Sequence, residues 1–273
     1  MQKVDRLGWA AGFAIKSYGV RIGIRSNDPS CFKRVRKHLP YGWEQNSSPV
    51  VDRLYSFLIG GTPRANVRSF NLLYGDHIRL ARSLEVEQVL ERFESDLRLF
   101  VAELARRRVF VHAGVVGWKG RAIVVPGRSF SGKSNLVAEL VRAGATYYSD
   151  EYAVFDSRGR VHPFPKPLEL RERGDTLQSK VTVEELGGQS GTRPLRVGLV
   201  VMTQFKAGAR WRPRRLSPGK GILELLSNTV SARRAPEKAL VTLQHVVADA
   251  EVVKGARGEC RDIVKSILDR VER

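Results

Sequence analysis

One run constrains this chain more than any other: Gly127-Arg128-Ser129-Phe130-Ser131-Gly132-Lys133-Ser134. It fits G-x-x-x-x-G-K-[ST] in full, follows the apolar Ile123-Val124-Val125 and leads into an apolar-rich segment, Leu136 to Val141. Strand before and helix after is the context the pattern requires. The glycines let backbone N–H groups turn inward around an anion, and the helix N-terminus adds the positive end of its dipole. In such a loop the lysine bridges the outer phosphates of a nucleoside triphosphate and the serine hydroxyl ligates Mg²⁺. The run therefore predicts an α/β core and a nucleotide site over residues 127–135, with Asn135 next to the loop serine.

The surrounding pattern agrees. Val109–Val116 and Ala122–Val125 are β-rich runs about a Trp118-Lys119-Gly120 turn, a helix is expected from Lys133 to Arg142, and a strand follows at Thr146–Tyr148. Leu195–Met202 reads as a buried strand, with helices at about 221–229, 236–248 and 259–271. Strand–loop–helix–strand order is the signature of an α/β layer structure. Ahead of it lies a mixed α/β segment: a strand pair at Phe13–Ile15 and Val20–Ile24, a helix from the Asp28-Pro29 start to about Leu39, a strand at Leu54–Ile59, and a hairpin about Gly75-Asp76. Ser83 is expected to cap a long helix whose Val86, Val89, Leu90, Phe93, Leu97, Phe100, Val101 and Leu104 fall on one face. Arg106, Arg107 and Arg108 close it, where cations suit the helix dipole. The boundary is placed there, giving a smaller mixed α/β N-terminal domain over 1–108 and a nucleotide-binding domain over 109–273.

The chain carries 47 Lys+Arg against 28 Asp+Glu in 273 residues, a net charge of +19. Such an excess invites a nucleic-acid reading. It is spread, however, over both halves, +8 across 1–108 and +11 across 109–273, and no zinc finger, RNP-type pattern or helix-turn-helix accompanies it. Nucleic acid is therefore disfavoured as a partner. No apolar run reaches the ~20 residues of a membrane helix. Cys31 and Cys260 lack both a disulfide framework and zinc-ligand spacing, which fits a reducing, cytoplasmic setting.

A phosphate loop needs acids for the metal and, in a kinase, a base for the acceptor hydroxyl. Ser149-Asp150-Glu151 ends the strand after the loop helix, about where such acids belong. Adjacent acids on an extended strand point to opposite faces, so both reach one site only where the strand ends or bends. His112 lies on the strand entering Ala113-Gly114, where a histidine is by default a satisfied core residue. Glu169 and Arg171 alternate with Leu168 and Leu170, so both polar groups share one strand face: a metal-plus-phosphate pair, or an exposed face with an ion pair.

Taken in order, His112-Ala113-Gly114-Val115-Val116, the phosphate loop, Asp150-Glu151, Leu168-Glu169-Leu170-Arg171 and Ser217-Pro218-Gly219-Lys220 resemble the catalytic domain of the HPr kinase/phosphorylase family, over roughly residues 109–260. Lasso-peptide serine kinases are similar. The resemblance implies a P-loop kinase core akin to HPr kinase and phosphoenolpyruvate carboxykinase, using ATP and Mg²⁺ to phosphorylate a serine of a protein or peptide. It implies Asp150 as the base, His112 as its hydrogen-bonding partner, and Ser134, Glu151 and Glu169 as metal ligands. Arg171 and Lys220 would contact phosphate or acceptor. The family has Asp-Asp at 150–151 and an acid at 135, and residues 1–108 do not look like its regulatory domain, so HPr itself is not implied as acceptor. Two other readings stay open: a nucleotide-sensing interaction module without catalysis, and a small-molecule kinase. Homo-oligomerisation is also left open.

The acid-free stretch Lys206, Arg210, Arg212, Arg214, Arg215 and Lys220 concentrates positive charge ahead of the helix-starting turn. Binding of ATP or of an acidic acceptor should therefore weaken as salt rises. Titrations over a range of ionic strength check this, and a salt-independent affinity would contradict it.

Overall fold

A computed structural model describes residues 3–60, 69–127, 131–171 and 178–272, the side chains of Lys3, Arg171 and Gln178 excepted. The chain divides into two compact units, Met1–Arg106 and Arg107–Arg273. The architecture is mixed α/β with several sheets. Among the described residues no helix is long and apolar enough to cross a membrane. Cys31 and Cys260 are free and buried.

The first unit contains β1 (Ala11–Ser17), β2 (Val20–Ser26), α1 (Phe32–Val35), β3 (Glu44–Asn46), β4 (Arg53–Leu58), β5 (Asn71–Gly75), β6 (Ile78–Ser83) and α2 (Val86–Leu104). Its strands form one sheet in the order β3-β1-β2-β4-β5-β6, and only β2 and β4 run parallel. Val89, Leu90, Phe93, Leu97 and Val101 of α2 pack with Ile15, Ile22, Ile24, Tyr55, Phe57 and Leu73 from the sheet. The apolar stripe thus meets the alternate residues of strands that face it. Two local expectations shift. Residues 29–38 do not form one helix: 3₁₀ turns at Pro29–Cys31 and Arg36–His38 flank the single turn of α1. Leu39 is extended because Pro40 follows it. Ser83 does not occupy the cap position of α2; its Oγ accepts from the Glu85 N–H at 3.0 Å, and Glu85 is the cap residue.

The second unit contains β7 (Val109–Trp118), β8 (Arg121–Pro126), α3 (Lys133–Arg142), β9 (Thr146–Ser149), β10 (Tyr152–Phe155), β11 (Val161–His162), β12 (Leu168–Arg171) and β13 (Gln178–Val181). It continues with β14 (Arg196–Phe205), β15 (Arg214–Arg215), α4 (Pro218–Leu226), α5 (Pro236–Ala248), β16 (Glu251–Arg257) and α6 (Arg261–Val271). The main sheet runs β11-β10-β7-β8-β14-β16-β15, with β9 also on β7, while β12 and β13 pair as a separate ribbon. Strands β8, β14 and β16 are mutually parallel, so their carboxyl ends share one edge. Alternation sorts the strand residues between two cores. Val116, Ile123, Val125, Leu199, Val201 and Val253 pack under α3 and α6. Val111, Ala113, Val115, Val124, Val200 and Val252 pack under α4 and α5 on the other face.

Close packing of α3 on β7 depends on Gly114. A Cβ there would come within 2.4 Å of Val137 Cγ2 in α3. Gly114→Ala is expected to lower stability by roughly 1–3 kcal/mol through overpacking. Urea denaturation measures this, and a double-mutant cycle with Val137→Ala should return a clear coupling energy.

Candidate functional site

The site grows from β7. Its odd-numbered residues face α4 and α5, so His112 and Gly114 face α3. The His112 amide donates to the Asn228 carbonyl at 2.8 Å, and its carbonyl accepts from the Gly127 N–H at 3.0 Å. The residue that carries the imidazole therefore also anchors the first glycine of the loop. The ring is half-buried and lies 4.9 Å from the Tyr152 ring, between centroids. Burial pushes its pKa down, the nearby Lys133 ammonium does so further, and Glu151 opposes both.

Within the loop, Gly127, Ser131, Gly132, Lys133 and Ser134 are described; Arg128, Ser129 and Phe130 lie outside the described residues. Gly132 takes the left-handed conformation at φ 79° and caps α3, a geometry in which a side chain is disfavoured. Its carbonyl accepts from Leu136 N at 3.3 Å, the first turn of the helix. Lys133 and Ser134 open α3, so the amides at this helix start have no intrahelical acceptor and point at whatever binds in front.

The acids come next. β9 ends at Ser149, whose Oγ accepts from the N–H groups of Glu151 at 3.2 Å and Tyr152 at 3.0 Å. That bend lets neighbouring carboxylates serve one place: both Asp150 and Glu151 act electrostatically on the Lys133 ammonium. Burial lowers the Lys133 pKa, and these two charges oppose the shift. Ser134 Oγ donates to Asp150 Oδ2 at 3.0 Å. Asp150 is only 3% exposed. Its other oxygen lies 3.1 Å from the Tyr147 hydroxyl, which is also 2.9 Å from the Lys166 carbonyl oxygen. Burial raises the Asp150 pKa above the ordinary carboxylate range, against the Lys166 charge and the Ser134 and Tyr147 hydrogen bonds.

Glu169 reaches the cluster through a lysine. The Lys166 ammonium, almost fully buried, lies 3.4 Å from Glu151 Oε2 and 3.1 Å from Glu169 Oε1. Leu168 and Leu170 on the opposite face of β12 pack into the core beneath α3, which fixes the side on which Glu169 emerges. Among the described residues no group of three or more His, Cys, Asp or Glu side chains is gathered for a metal.

Some expected members are elsewhere. His112 does not hydrogen-bond Asp150; Ser134 and Tyr147 take that carboxylate, and the imidazole sits nearer Lys133 and Glu151. The reason is register, since His112 pairs with Tyr152, two residues past Asp150. Asn135 is exposed on α3. Lys220 is exposed at the start of α4, on the sheet face opposite α3, and the structure does not bring it into the cluster. The Arg171 side chain lies outside the described residues. The six basic residues from Lys206 to Lys220 are all exposed, and β15, with Arg214 and Arg215, edges the sheet beside β16.

Three further residues belong here. Tyr147 and Lys166 hold the carboxylates, and Arg257 donates to the Gly132 carbonyl at 3.1 Å. Tyr147 lies three residues before Asp150 and Lys166 three before Glu169, spacings that could have drawn notice. No local signal marks Arg257.

The sequence matches no family model and no curated protein. Among solved structures, the chain is similar to the HPr(Ser) kinase/phosphatase from Coxiella burnetii, at 12% identity over 60% of this chain and 95% of that one, with a TM-score of 0.31.

The raised pKa of Asp150 has a sign that can be measured. The folded state holds this proton more tightly than the unfolded chain, so the stability it supplies is complete below the unfolded pKa and lost as pH rises through the folded one. At neutral pH the buried charge is a net cost. Asp150→Asn should therefore melt above the wild type at pH 7, with the gap closing toward about pH 4. A pH-independent gap in thermal denaturation would contradict the assignment.

Proposed function

We propose that this protein is an ATP- and Mg²⁺-dependent kinase that phosphorylates a serine hydroxyl of a protein or peptide. One observation carries the reading: Ser134, at the end of a full phosphate-loop motif, donates to the buried carboxylate of Asp150 at 3.0 Å. A phosphate anchor and a candidate base thereby stand side by side.

The donor set suits a hard cation. Glu151 and Glu169 already share one positive group, the Lys166 ammonium, and hydroxyl and carboxylate oxygens are the ligands Mg²⁺ takes alongside phosphate. Ser134, Glu151 and Glu169 would hold it, and it would neutralise charge on the phosphate oxygens. Lys133 and the free amides at the start of α3 bind and orient the triphosphate. Asp150 accepts the proton of the acceptor serine as its oxygen attacks the γ-phosphorus and ADP leaves. A carboxyl with a raised pKa is a better base than an ordinary one, since it holds the proton it takes more firmly. His112, kept neutral by burial and by Lys133, lines the site beside Glu151. Acceptor recognition is assigned to the first unit, because the loop motif and the acids beside it lie in the second.

A second reading draws on Lys166. With its ammonium between Glu151 and Glu169, Lys166 already offsets part of their charge where a metal would sit, as suits a module that senses nucleotide and transfers nothing. Such a module would still be stabilised by ATP, by ~2.7 kcal/mol at 100 times Kd.

Incubation with labelled ATP, Mg²⁺ and candidate serine-containing acceptors separates the readings. Transfer should be lost in Lys133→Ala and fall about 10²-fold or more in Asp150→Asn. Transfer that survives both substitutions would overturn the kinase reading. ATP-dependent stabilisation with no transfer to any acceptor would favour the sensor.

A further inference from the structure

We infer that Arg257 sets the phosphate loop for anion binding, by fixing the peptide unit between Gly132 and Lys133 and by adding a buried positive charge behind it. The inference rests on the nucleotide reading above and assigns that site a residue from the far end of the chain. Arg257 ends β16, at the edge shared by the carboxyl ends of β8 and β14. Ligands of open parallel sheets bind outside that edge.

Arg257 is 3% exposed and faces the Cys260 thiol, yet among the described residues no carboxylate forms an ion pair with it. Its Nη2 donates to the Gly132 carbonyl and its Nη1 to the Gly258 carbonyl, each at 3.1 Å. Among the described residues its Nε has no hydrogen-bond partner. Phe205, its register partner on β14, packs its ring 5.8 Å from the guanidinium carbon. A buried charge lacking a counter-charge is costly, and carbonyl dipoles offset it only in part. An anion held at the loop supplies the missing charge.

Geometry gives the guanidinium a second task. In a planar trans peptide the C=O and N–H point in opposite directions. Holding the Gly132 oxygen toward Arg257 and Leu136 N turns the Lys133 N–H the other way, out of the helix start. That amide is one of the free donors a phosphate meets. A Cβ at Gly132 would stand 2.5 Å from Arg257 Nη2, so a side chain there would push the guanidinium from its place.

Inorganic tripolyphosphate, ATP and adenosine, titrated calorimetrically into the full chain, test this. In Arg257→Met, tripolyphosphate and ATP should bind about tenfold weaker or more, the loss expected for a charge-assisted hydrogen bond, while adenosine is unaffected. Arg257→Lys should recover part of the loss. A merely structural role would lower the melting temperature without separating phosphate from adenosine affinity. Unchanged tripolyphosphate binding in Arg257→Met overturns the role of Arg257 alone. A wild type that binds neither ATP nor tripolyphosphate overturns the nucleotide reading and this inference together. Should circular dichroism show the Met variant unfolded, Arg257→Lys decides, and wild-type affinity there overturns the proposal.

Discussion

Where Gly114 passes beneath Val137, the missing side chain lets α3 settle directly on β7. That contact sets the distances at the candidate site. β7 holds the loop through the His112 carbonyl, α3 carries Lys133 and Ser134, and β9, also paired with β7, delivers Asp150. The 3.0 Å bond between Ser134 and Asp150 closes this triangle of elements. A helix lifted by one methyl group would open it.

Charge is distributed around that frame. Asp150 is buried and tuned upward by desolvation, while Glu151 and Glu169 keep a lysine between them. Arg257 stands behind the loop without a carboxylate of its own among the described residues. Opposite charges at close quarters hold geometry more firmly the more water is excluded from them.

Much of this was legible in the residues. The loop motif and its strand and helix flanks could be read directly, because each depends on a few positions close in sequence. The amphipathic stripe of α2 was equally plain. The helix expected over 28–39 failed because tertiary packing of Cys31 and Val35 and the Leu39-Pro40 step favour short 3₁₀ turns over a continuous α-helix. The His112–Asp150 bond failed for a subtler reason. Strand register places Tyr152, not Asp150, opposite His112, and register is not written in any one segment.

Sequence alone determined the loop motif, the strand before it and the helix after it, and the acids at the end of the next strand, since local backbone preferences and hydrophobic period act over short spans. Tertiary structure decided who meets whom. It took Lys220 to the far face of the sheet, set Lys166 between Glu151 and Glu169, and brought Arg257 against Gly132. The order of parallel strands fixes that last meeting, because β16 follows β14 and β8 across the sheet and ends on their common edge. No local pattern encodes a neighbour more than a hundred residues away; the pairing of strands does.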